Sequence, residues 1–335
     1  MKPKGIFILE PNKFETVYGP EERRDLHALV DISDCAYSAK EVKAHPELLR
    51  DVELIFSSWG GPYLDAAFLK TVPQLKAFFY GAGSIKEYVT EEFWQRDIPI
   101  TSAASANAVP VAEFAHAQVL LSLKRVWSLA RNIRQEGGWP DHGARENLVA
   151  GAYGSTVGVI SLGIIGRLIC ERLQTSEVRV IAYDPFVSPE RAKELGVELV
   201  SLEELFRQSD VVTLHAPLLE ETKNMITKEL LASMKQGATF INTARGKLVK
   251  EKELIEVLQE RPDLFALLDV TAPEPPEKGS LLFTLSNVVL TPHIAGSINN
   301  ECRRMGRLMV EEVDRYLKGQ ALRWRITPQM ALITA

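Results

Sequence analysis

Short apolar runs alternate with amphipathic segments through about the first 104 residues of the chain. The apolar runs lie at residues 5–9, 52–58, 75–80 and 98–100, and helical patterns lie near residues 21–30, 64–71 and 85–96. Strands that alternate with helices in this way form βα units, which build a parallel sheet. We therefore predict an α/β domain here, with functional loops at the carboxyl ends of its strands.

The same alternation returns after residue 154. The apolar runs now lie at residues 157–160, 180–183, 211–215, 239–242, 265–270 and 288–291. Helix-start signals separate them, because Ser188 precedes a first-turn proline and Ser201 with Glu204 forms a capping box. We predict a second βα series and thus two doubly wound parallel-sheet α/β domains. Ser297 is predicted to cap a final helix that ends at Lys318.

A different pattern joins the two series. Apolar residues recur at spacings of three and four, which predicts one long, largely buried helix that ends near Gly137 and Gly138. The residues on this stripe are Ala112, Ala115, Val119, Leu123, Val126, Ala130 and Ile133. The following residues 139–153 form an arm without a pattern. Arms of this length are usually functional, disordered or packed on another subunit.

A glycine turn follows the first strand of the second series. Gly163 and Gly166 lie three residues apart between an apolar run and a helical pattern, so backbone N–H groups could approach a pyrophosphate. Asp184 stands eighteen residues after Gly166, where a dinucleotide site needs a carboxylate for the ribose hydroxyls. Ser161 occupies the place of the first glycine of the usual fingerprint. An ordinary strand-to-helix turn is the alternative interpretation of the two glycines alone.

Three polar residues follow later strands in otherwise apolar surroundings: Arg245, Glu274 and His293. Strand ends of a parallel sheet meet at one edge, so these side chains could share a cleft. Together they suit the reduction of a 2-oxo acid. The guanidinium would bind the substrate carboxylate, the imidazole would donate a proton to the carbonyl oxygen, and the carboxylate would hold the other imidazole nitrogen.

Each of these three residues also has a structural interpretation. Arg245 could cap a strand end, Glu274 could be a solvent-facing carboxylate in a proline-rich loop, and His293 could be a structural histidine. His215 also ends a strand and is interpreted as structural or cofactor-adjacent. The other histidines have no paired spacing, so no metal site is predicted.

Strand ends of the first series hold a tryptophan and a glycine turn. Trp59 follows the second strand, and Tyr80 precedes Gly81, Ala82 and Gly83. The turn could present backbone N–H groups to a carboxylate, although a plain glycine-rich turn is equally compatible with the sequence. Trp59 and Tyr80 would flank the pocket, or they would belong to the core.

Bulk properties exclude several classes of protein. The 335 residues carry a formal net charge of -5 without a basic stripe, which argues against nucleic acid as the main partner. The three cysteines lack paired spacing, as is typical of proteins in a reducing cytoplasm. No apolar stretch approaches the length of a signal-peptide core or a membrane span, so we expect a cytoplasmic protein without a membrane partner.

The motifs together resemble the D-isomer-specific 2-hydroxyacid dehydrogenases, an NAD-dependent family. The resemblance covers nearly the whole chain and rests on VGVISLGIIG at 157–166, YDP at 183–185, LHAPL at 214–218, MKQGATFINTARG at 234–246, LDVTAPEP at 268–275 and TPHIAG at 291–296. It implies two Rossmann-like domains with a cleft between them. The substrate-binding domain would be discontinuous, comprising 1–104 and 297–335, and 105–296 would bind NAD.

The resemblance also implies roles for individual residues. Arg245 matches the arginine that binds the substrate carboxylate, Glu274 the acid that orients the histidine, and His293 the acid/base. Asp269 matches the residue near the nicotinamide carboxamide, and Asp184 the acid that favours NAD over NADP. The full set of implied cofactor contacts is Ser161, Gly163, Ile164, Ile165, Gly166, Asp184, His215, Ala216, Pro217, Thr222, Thr243, Ala244, Arg245, Asp269, His293 and Ala295.

The predicted substrate contacts are Trp59, Tyr80, Gly81, Ala82, Gly83, Arg245 and His293. Members of the family are usually dimers, which implies a homodimer through the 107–153 helix and arm. The sequence does not identify which 2-oxo or 2-hydroxy acid is the substrate. An NAD(H)-responsive regulatory binding protein on the same scaffold is an alternative function. A formate dehydrogenase is disfavoured, because that enzyme carries an amide where Glu274 stands.

Overall fold

The computed structural model describes residues 1–139 and 150–333. The chain divides into two compact units, one formed by Met1–Ala108 with Ser297–Ala335 and the other by Val109–Gly296. Each unit has its own parallel sheet and its own core.

The sheet of the first unit has five parallel strands in the order β2-β1-β3-β4-β5. Their bounds are β1 Gly5–Ile8, β2 Ala36–Tyr37, β3 Leu54–Ser57, β4 Ala77–Tyr80 and β5 Ile100–Ser102. The order reverses between β1 and β3, and such a switch point is where open α/β sheets bind ligands. The loops that follow β1, β3 and β4 therefore lie together at the carboxyl edge of this sheet.

Helices flank this sheet on both faces. The α-helices of the unit are Pro11–Val17, Pro20–Leu29, Ala39–Ala44, Ala66–Thr71, Glu91–Trp94, Cys302–Leu317 and Pro328–Ile333, with short 3-10 helices at Pro46–Leu49 and Asn299–Glu301. Alternate strand residues enter different clusters, because Phe7 and Phe56 pack on one face while Ile8 and Ile55 pack on the other. Strands buried on both faces explain the continuous apolar runs in the sequence.

The sheet of the second unit has seven parallel strands in the order β12-β11-β10-β9-β6-β7-β8. Their bounds are β6 Thr156–Ile160, β7 Arg179–Tyr183, β8 Glu198–Leu199, β9 Val211–Leu214, β10 Thr239–Asn242, β11 Phe265–Leu268 and β12 Val288–Leu290. The strand order runs in one direction from β6 to β8 and in the other from β9 to β12. This is the doubly wound, dinucleotide-binding order, and its switch point lies between β6 and β9. The predicted fold class is confirmed.

The helices of the second unit join successive strands, apart from Val126–Glu136, which precedes β6. The α-helices are Val126–Glu136, Ile164–Leu173, Pro189–Glu194, Leu202–Gln208, Lys228–Ala232 and Glu251–Glu260, with 3-10 helices at Gly246–Leu248 and Leu281–Phe283. The helix Ala104–Leu123 contains the boundary between the units. The predicted caps are confirmed, since the Ser188 hydroxyl accepts from the Arg191 N–H and Ser201 forms its capping box with Glu204.

The prediction of one long helix up to Gly137 was wrong. The helix ends at Leu123, and a second helix begins at Val126 after Arg125, whose φ of 51° is left-handed. The Arg125 guanidinium donates to the Gly237 carbonyl at 2.9 Å and to the Asp263 carbonyl at 3.3 Å. These tertiary hydrogen bonds favour a break that the apolar periodicity does not reveal. Much of the arm predicted over 139–153 lies outside the described residues.

Two predicted helix limits in the first unit were also wrong. Ser297 does not cap the last helix, because Asn299 adopts a left-handed φ of 51° and the α-helix begins only at Cys302. The Ser297 N–H donates instead to the Asn107 side chain at 2.8 Å. The helix predicted near residues 85–96 is confined to Glu91–Trp94. Within residues 1–139 and 150–333, no helix is long and apolar enough to cross a membrane.

Candidate active site

The glycine turn after β6 has the geometry of a dinucleotide-binding turn. Ser161 holds a left-handed φ of 75°, and Gly163 is the N-cap of the helix Ile164–Leu173. A Cβ on Gly166 would lie 2.0 Å from the Ser161 carbonyl oxygen, so only glycine lets the helix approach the turn this closely. The N-cap residue Gly163 provides no side chain to occupy the helix N-terminus. Its N–H groups therefore fit a pyrophosphate.

Asp184 follows β7 and contacts the same turn. Its carboxylate accepts hydrogen bonds from the Leu162 N–H at 2.7 Å and from the Phe186 N–H at 2.9 Å. The Ser161 hydroxyl lies 3.4 Å from the same carboxylate. The turn and the predicted ribose acid are thus joined directly, and the residues present fit a dinucleotide.

His215 lies at the end of β9 and is neutral. Burial lowers the pKa of His215 to about 3, because the charged imidazolium would lose its hydration. Its Nε2 lies 2.8 Å from the Thr213 hydroxyl, and its Nδ1 has no hydrogen-bond partner among the described residues. In the following loop, Ala216 is buried and the Thr222 hydroxyl donates to the Pro217 carbonyl at 2.6 Å.

The buried Asn242 shapes the loop that carries Arg245. The Asn242 side chain donates to the Arg245 carbonyl at 3.1 Å and accepts from the Ala244 N–H at 3.0 Å. The neighbouring Thr243 is buried as well. A Cβ on Gly246 would lie 2.0 Å from the backbone of Thr271, so the loop after β10 packs directly against the loop after β11.

Asp269 organises the loop that carries His293. The buried carboxylate accepts from the Thr291 hydroxyl at 2.5 Å and from the N–H groups of Ile294 and Ala295 at 2.9 Å each. The Asp269 carbonyl also accepts from the His293 N–H at 3.0 Å. His293 has a left-handed φ of 54°, a strained conformation for a non-glycine residue that the surrounding hydrogen bonds maintain.

His293 and Glu274 form a hydrogen-bonded pair. Nδ1 of His293 lies 2.6 Å from Oε1 of Glu274, and the side chains are 48% and 42% exposed. The Thr271 N–H donates to the other carboxylate oxygen at 3.4 Å. An ionised carboxylate only accepts, so Nδ1 carries the hydrogen that it receives. Nε2 is then the nitrogen that can exchange a proton with a substrate.

The predicted substrate contacts of the first unit have mixed environments. Trp59 is half-buried, and the Lys13 ammonium lies 5.7 Å from its ring centroid. Tyr80 is only 2% exposed and packs in the core, so the structure does not support its predicted place in an open pocket. The Gly81 N–H donates to the Ser57 carbonyl at 2.7 Å and is not available to a ligand. This leaves Ala82 and Gly83 as the candidate donors of the turn.

The structure thus brings two groups of predicted residues together within the second unit. The first group is the glycine turn with Asp184, and the second is Asp269, Glu274 and His293. Sequence reasoning missed Asn242 and Thr291, which hydrogen-bond the loops that carry Arg245 and His293. A polar residue at the end of an apolar strand was the available signal for both.

Residues 117–295 match the family model described as D-isomer specific 2-hydroxyacid dehydrogenase, NAD binding domain. The chain belongs to the D-isomer-specific 2-hydroxyacid dehydrogenase family. The match to the family's NAD-binding domain confirms the prediction of NAD as cofactor.

Individual proteins extend this comparison. A D-3-phosphoglycerate dehydrogenase of Archaeoglobus fulgidus is 34% identical over 260 residues, which are 78% of this chain but 49% of that protein. The chain thus spans about half the length of this relative. A glyoxylate reductase of Korarchaeum cryptofilum is 33% identical over 275 residues, 82% of each protein.

A solved structure supports the fold. The NAD complexed form of a D-isomer specific 2-hydroxyacid dehydrogenase from Lactobacillus delbrueckii ssp. bulgaricus matches with a TM-score of 0.80 and 22% identity. The match covers 96% of this chain and 100% of that one.

Proposed function

We propose that this protein transfers a hydride between NAD(H) and a 2-oxo acid/D-2-hydroxy acid pair. The observation that carries the proposal is the 2.6 Å contact between His293 and Glu274 at the strand ends of the matched NAD-binding domain. Glu274 holds Nδ1 of the imidazole, so Nε2 is the nitrogen that transfers a proton. Such a group is needed to protonate a carbonyl oxygen.

Each polar residue of the site has one role in this reaction. NADH, when bound, supplies the hydride. In reduction, His293 donates the Nε2 proton to the carbonyl oxygen, and in oxidation Nε2 removes the proton from the substrate hydroxyl. Glu274 keeps the hydrogen of the neutral imidazole on Nδ1, so that Nε2 is the nitrogen that exchanges the proton. Arg245 binds the substrate carboxylate with two parallel N–H groups, which a planar guanidinium provides and an ammonium does not.

The cofactor assignment follows from charge. The N–H groups at the start of the helix Ile164–Leu173 would hold the pyrophosphate, and Asp184 would accept hydrogen bonds from the ribose hydroxyls. A 2′-phosphate beside the Asp184 carboxylate would bring two negative charges together. We therefore assign NAD over NADP, with residues 105–296 as the cofactor domain and 1–104 with 297–335 as the substrate-binding domain.

A substrate panel tests the proposal. Purified protein with NADH is mixed with glyoxylate, hydroxypyruvate, a longer 2-oxo acid and 3-phosphohydroxypyruvate, and NADH consumption is followed by absorbance. We expect consumption with at least one 2-oxo acid and, where the product is chiral, formation of its D-isomer. Tight NADH binding without consumption of any acid would refute the enzyme and favour an NAD(H)-responsive binding protein.

We also infer a homodimer formed through residues 107–153. Trp139 and Tyr153, the first and last residues of the arm, are 80% and 84% exposed, and exposed large apolar side chains of this kind often mark an interface. Light scattering should give twice the mass of one chain. A monomeric mass at micromolar concentration would refute the dimer but leave the assigned reaction unaffected.

A further inference from the structure

A side chain of the helix Glu251–Glu260 holds the loop that carries Glu274. The Ala272 N–H donates to a carboxylate oxygen of Glu251 at 2.8 Å. Within residues 1–139 and 150–333, this N–H is the only hydrogen-bond partner of the Glu251 carboxylate. Ala272 lies two residues before Glu274, so the contact is made next to the residue that pairs with His293.

Glu251 also belongs to the segment that follows Arg245. The chain runs from Arg245 through the 3-10 helix Gly246–Leu248 into the helix that begins at Glu251. The backbone of Gly246 lies against that of Thr271, where a Cβ would not fit. The loops after β10 and β11 are therefore in contact at Gly246 and joined by a hydrogen bond at Glu251.

The surroundings of the Glu251 carboxylate are unfavourable for a charge. The residue is half-buried, and burial raises the pKa of Glu251 above its ordinary value. The Ala272 N–H opposes this rise in pKa, whereas the nearby Glu277 carboxylate adds to it. A carboxylate in such a place needs a hydrogen-bond donor, and the Ala272 N–H is that donor.

Short contacts lead from this anchor to the imidazole. The Thr271 N–H donates to one oxygen of Glu274 at 3.4 Å, and the other oxygen lies 2.6 Å from Nδ1 of His293. The Thr271 hydroxyl donates to the Pro273 carbonyl at 2.8 Å, which keeps residues 271–273 together. Movement of this segment would displace Glu274 from the imidazole. Proton transfer tolerates only small displacements of the groups that carry it out.

We propose that Glu251 is a positioning residue that keeps Glu274 in contact with His293. It acts through the backbone of residues 271–274. The proposal rests on the proposed function, because the pair of Glu274 and His293 then serves proton transfer to the substrate. The alternative is a structural role, since an acidic residue in the first turn of a helix also stabilises that helix through its dipole.

Glu253 provides a matched control in the same helix. It is also a half-buried glutamate of the first turn, and its carboxylate accepts from the Lys228 N–H at 2.7 Å. Lys228 begins the helix Lys228–Ala232, which contains none of the predicted site residues. Glu251→Ala and Glu253→Ala thus remove the same kind of contact, but only Glu251→Ala releases the Glu274 loop.

The tautomer of His293 tests the proposal without catalysis. NMR of the cofactor-free protein with nitrogen-15 histidine, at about pH 8.5 where imidazole is neutral, shows which ring nitrogen carries the hydrogen. His293→Asn identifies the signal. The Nδ1–H form should predominate in the unchanged protein and in Glu253→Ala. In Glu251→Ala it should give way to a mixture with the Nε2–H form, because an imidazole without its carboxylate can carry the hydrogen on either nitrogen.

Glu251→Gln should restore the Nδ1–H form, because the amide oxygen can still accept from the Ala272 N–H. Glu251→Asp replaces the alanine variant if that variant fails to fold. Its side chain is one methylene shorter, so the carboxylate keeps its charge but does not reach the Ala272 N–H. We expect the same change of tautomer in Glu251→Asp as in Glu251→Ala.

Steady-state kinetics measure the effect on the reaction. With the substrate found in the panel, kcat of Glu251→Ala should fall about tenfold, as for a misplaced catalytic group. The KM and the Kd of NADH should change less than about threefold, because the contact serves proton transfer more than binding. In a Glu274→Ala background the same change should lower kcat less than about twofold, since the group on which Glu251 acts is already absent.

The outcomes separate this inference from the assigned reaction. An unchanged tautomer in Glu251→Ala, or an unchanged kcat in an active protein, would overturn the role of Glu251. Equal changes in Glu253→Ala would also overturn it, because the effect would then be one of helix stability. Additive losses of kcat in the double variant would mean that Glu251 does not act through Glu274. A change of tautomer confined to the Glu251 variants, in a protein that consumes no NADH with any acid, would support the positioning role and refute only the proposed function.

Discussion

Both units contain an exposed histidine paired with a glutamate through Nδ1, yet the two pairs are built differently. In the first unit His45 lies 3.0 Å from Glu47, and both side chains are 63% exposed. In the second unit His293 lies 2.6 Å from Glu274. The first pair joins residues two positions apart within one turn of the chain, whereas the second joins the loops after β11 and β12.

The surroundings of such a pair, more than the contact itself, therefore distinguish a candidate site from a surface contact. His45 has an ordinary negative φ of -126° at the end of a short helix. His293 has a left-handed φ and lies in a loop that the buried Asp269 carboxylate holds with three hydrogen bonds. A strained residue kept in place by buried polar groups is typical of functional positions. Within residues 1–139 and 150–333, no buried carboxylate holds the His45 pair in this way.

The largest effect should come from His293→Asn compared with His45→Asn. Asparagine tolerates a left-handed φ, so this change removes the imidazole while preserving the loop. We expect kcat with the best acid of the panel to fall about 10²- to 10⁴-fold, the usual contribution of a general acid, while the Kd of NADH stays within threefold. His45→Asn should leave both values unchanged.

Steady-state absorbance and NADH fluorescence measure the two quantities. Equal kcat values for the two variants would remove His293 from the mechanism. Glu274→Gln refines the comparison, because an amide can still contact Nδ1 but carries no charge. It should reduce kcat by a smaller factor than the loss of the imidazole.

Asp269→Asn tests the support of the His293 loop. The new amide would face one of the N–H groups of Ile294 and Ala295 and leave it without an acceptor. We expect a loss of about 2 to 3 kcal/mol in the free energy of unfolding, as for a buried charged hydrogen bond, together with a lower kcat. Urea unfolding and steady-state kinetics measure these two effects.

Asp210→Asn is the control for that change. The Asp210 carboxylate accepts from the Thr156 N–H at 2.8 Å and pairs with Lys235, but it lies at the amino end of β9 in the same sheet. It should destabilise the protein without lowering kcat. A stability loss for Asp269→Asn with an unchanged kcat would mean that the loop does not need its anchor for catalysis.

The sequence predicted the fold because strands buried on both faces produce continuous apolar runs, and because helix starts carry local signals such as Ser201 with Glu204. It also indicated Glu274 and His293, since ionisable side chains at strand ends are conspicuous among apolar residues. Both kinds of signal are local in the chain, and local signals are readable without a structure.

The remaining features depend on tertiary contacts. Arg125 breaks a helix while its guanidinium binds carbonyls more than a hundred residues away. The Ser58 hydroxyl, just after β3, donates to the Gly81 carbonyl, and the Ser102 hydroxyl, in β5, donates to the Gly83 carbonyl, so only the strand order β3-β4-β5 reveals these contacts. Tyr80 was ambiguous because an aromatic residue at a strand end can face a pocket or the core. Backbone groups such as the Ala82 N–H leave no mark in a sequence at all.

A third histidine extends the comparison to a buried environment. Burial lowers the pKa of His215 to about 3, whereas an unfolded histidine has a pKa near 6.5. Below about pH 6.5 the unfolded chain therefore binds a proton that the native protein does not, and stability falls as pH falls. The contribution of the neutral His215 to the free energy of unfolding is present above pH 6.5. It should decrease by about 1 kcal/mol between pH 7 and pH 5.5.

Urea unfolding of the unchanged protein and of His215→Asn over this pH range measures the effect. The variant is expected to be less stable at pH 7 but to lose less stability on acidification. Parallel pH profiles for the two proteins would show that the neutral burial of His215 does not govern the acid response.

The smallest effect concerns Ser161, which shares a left-handed φ with His293 but has less support from its surroundings. Ser161→Gly relieves this strain, and the gain is partly offset by the larger backbone entropy of glycine in the unfolded chain. We expect the free energy of unfolding to rise by up to about 1 kcal/mol. Ser161→Ala, which keeps the strain and loses only the 3.4 Å contact with Asp184, should not be stabilised.

The Kd of NADH should change less than threefold in both variants, because the N–H groups of Leu162 and Phe186 still hold the Asp184 carboxylate. If Ser161→Gly instead melts below Ser161→Ala, the strain at this turn is smaller than the cost of the added flexibility.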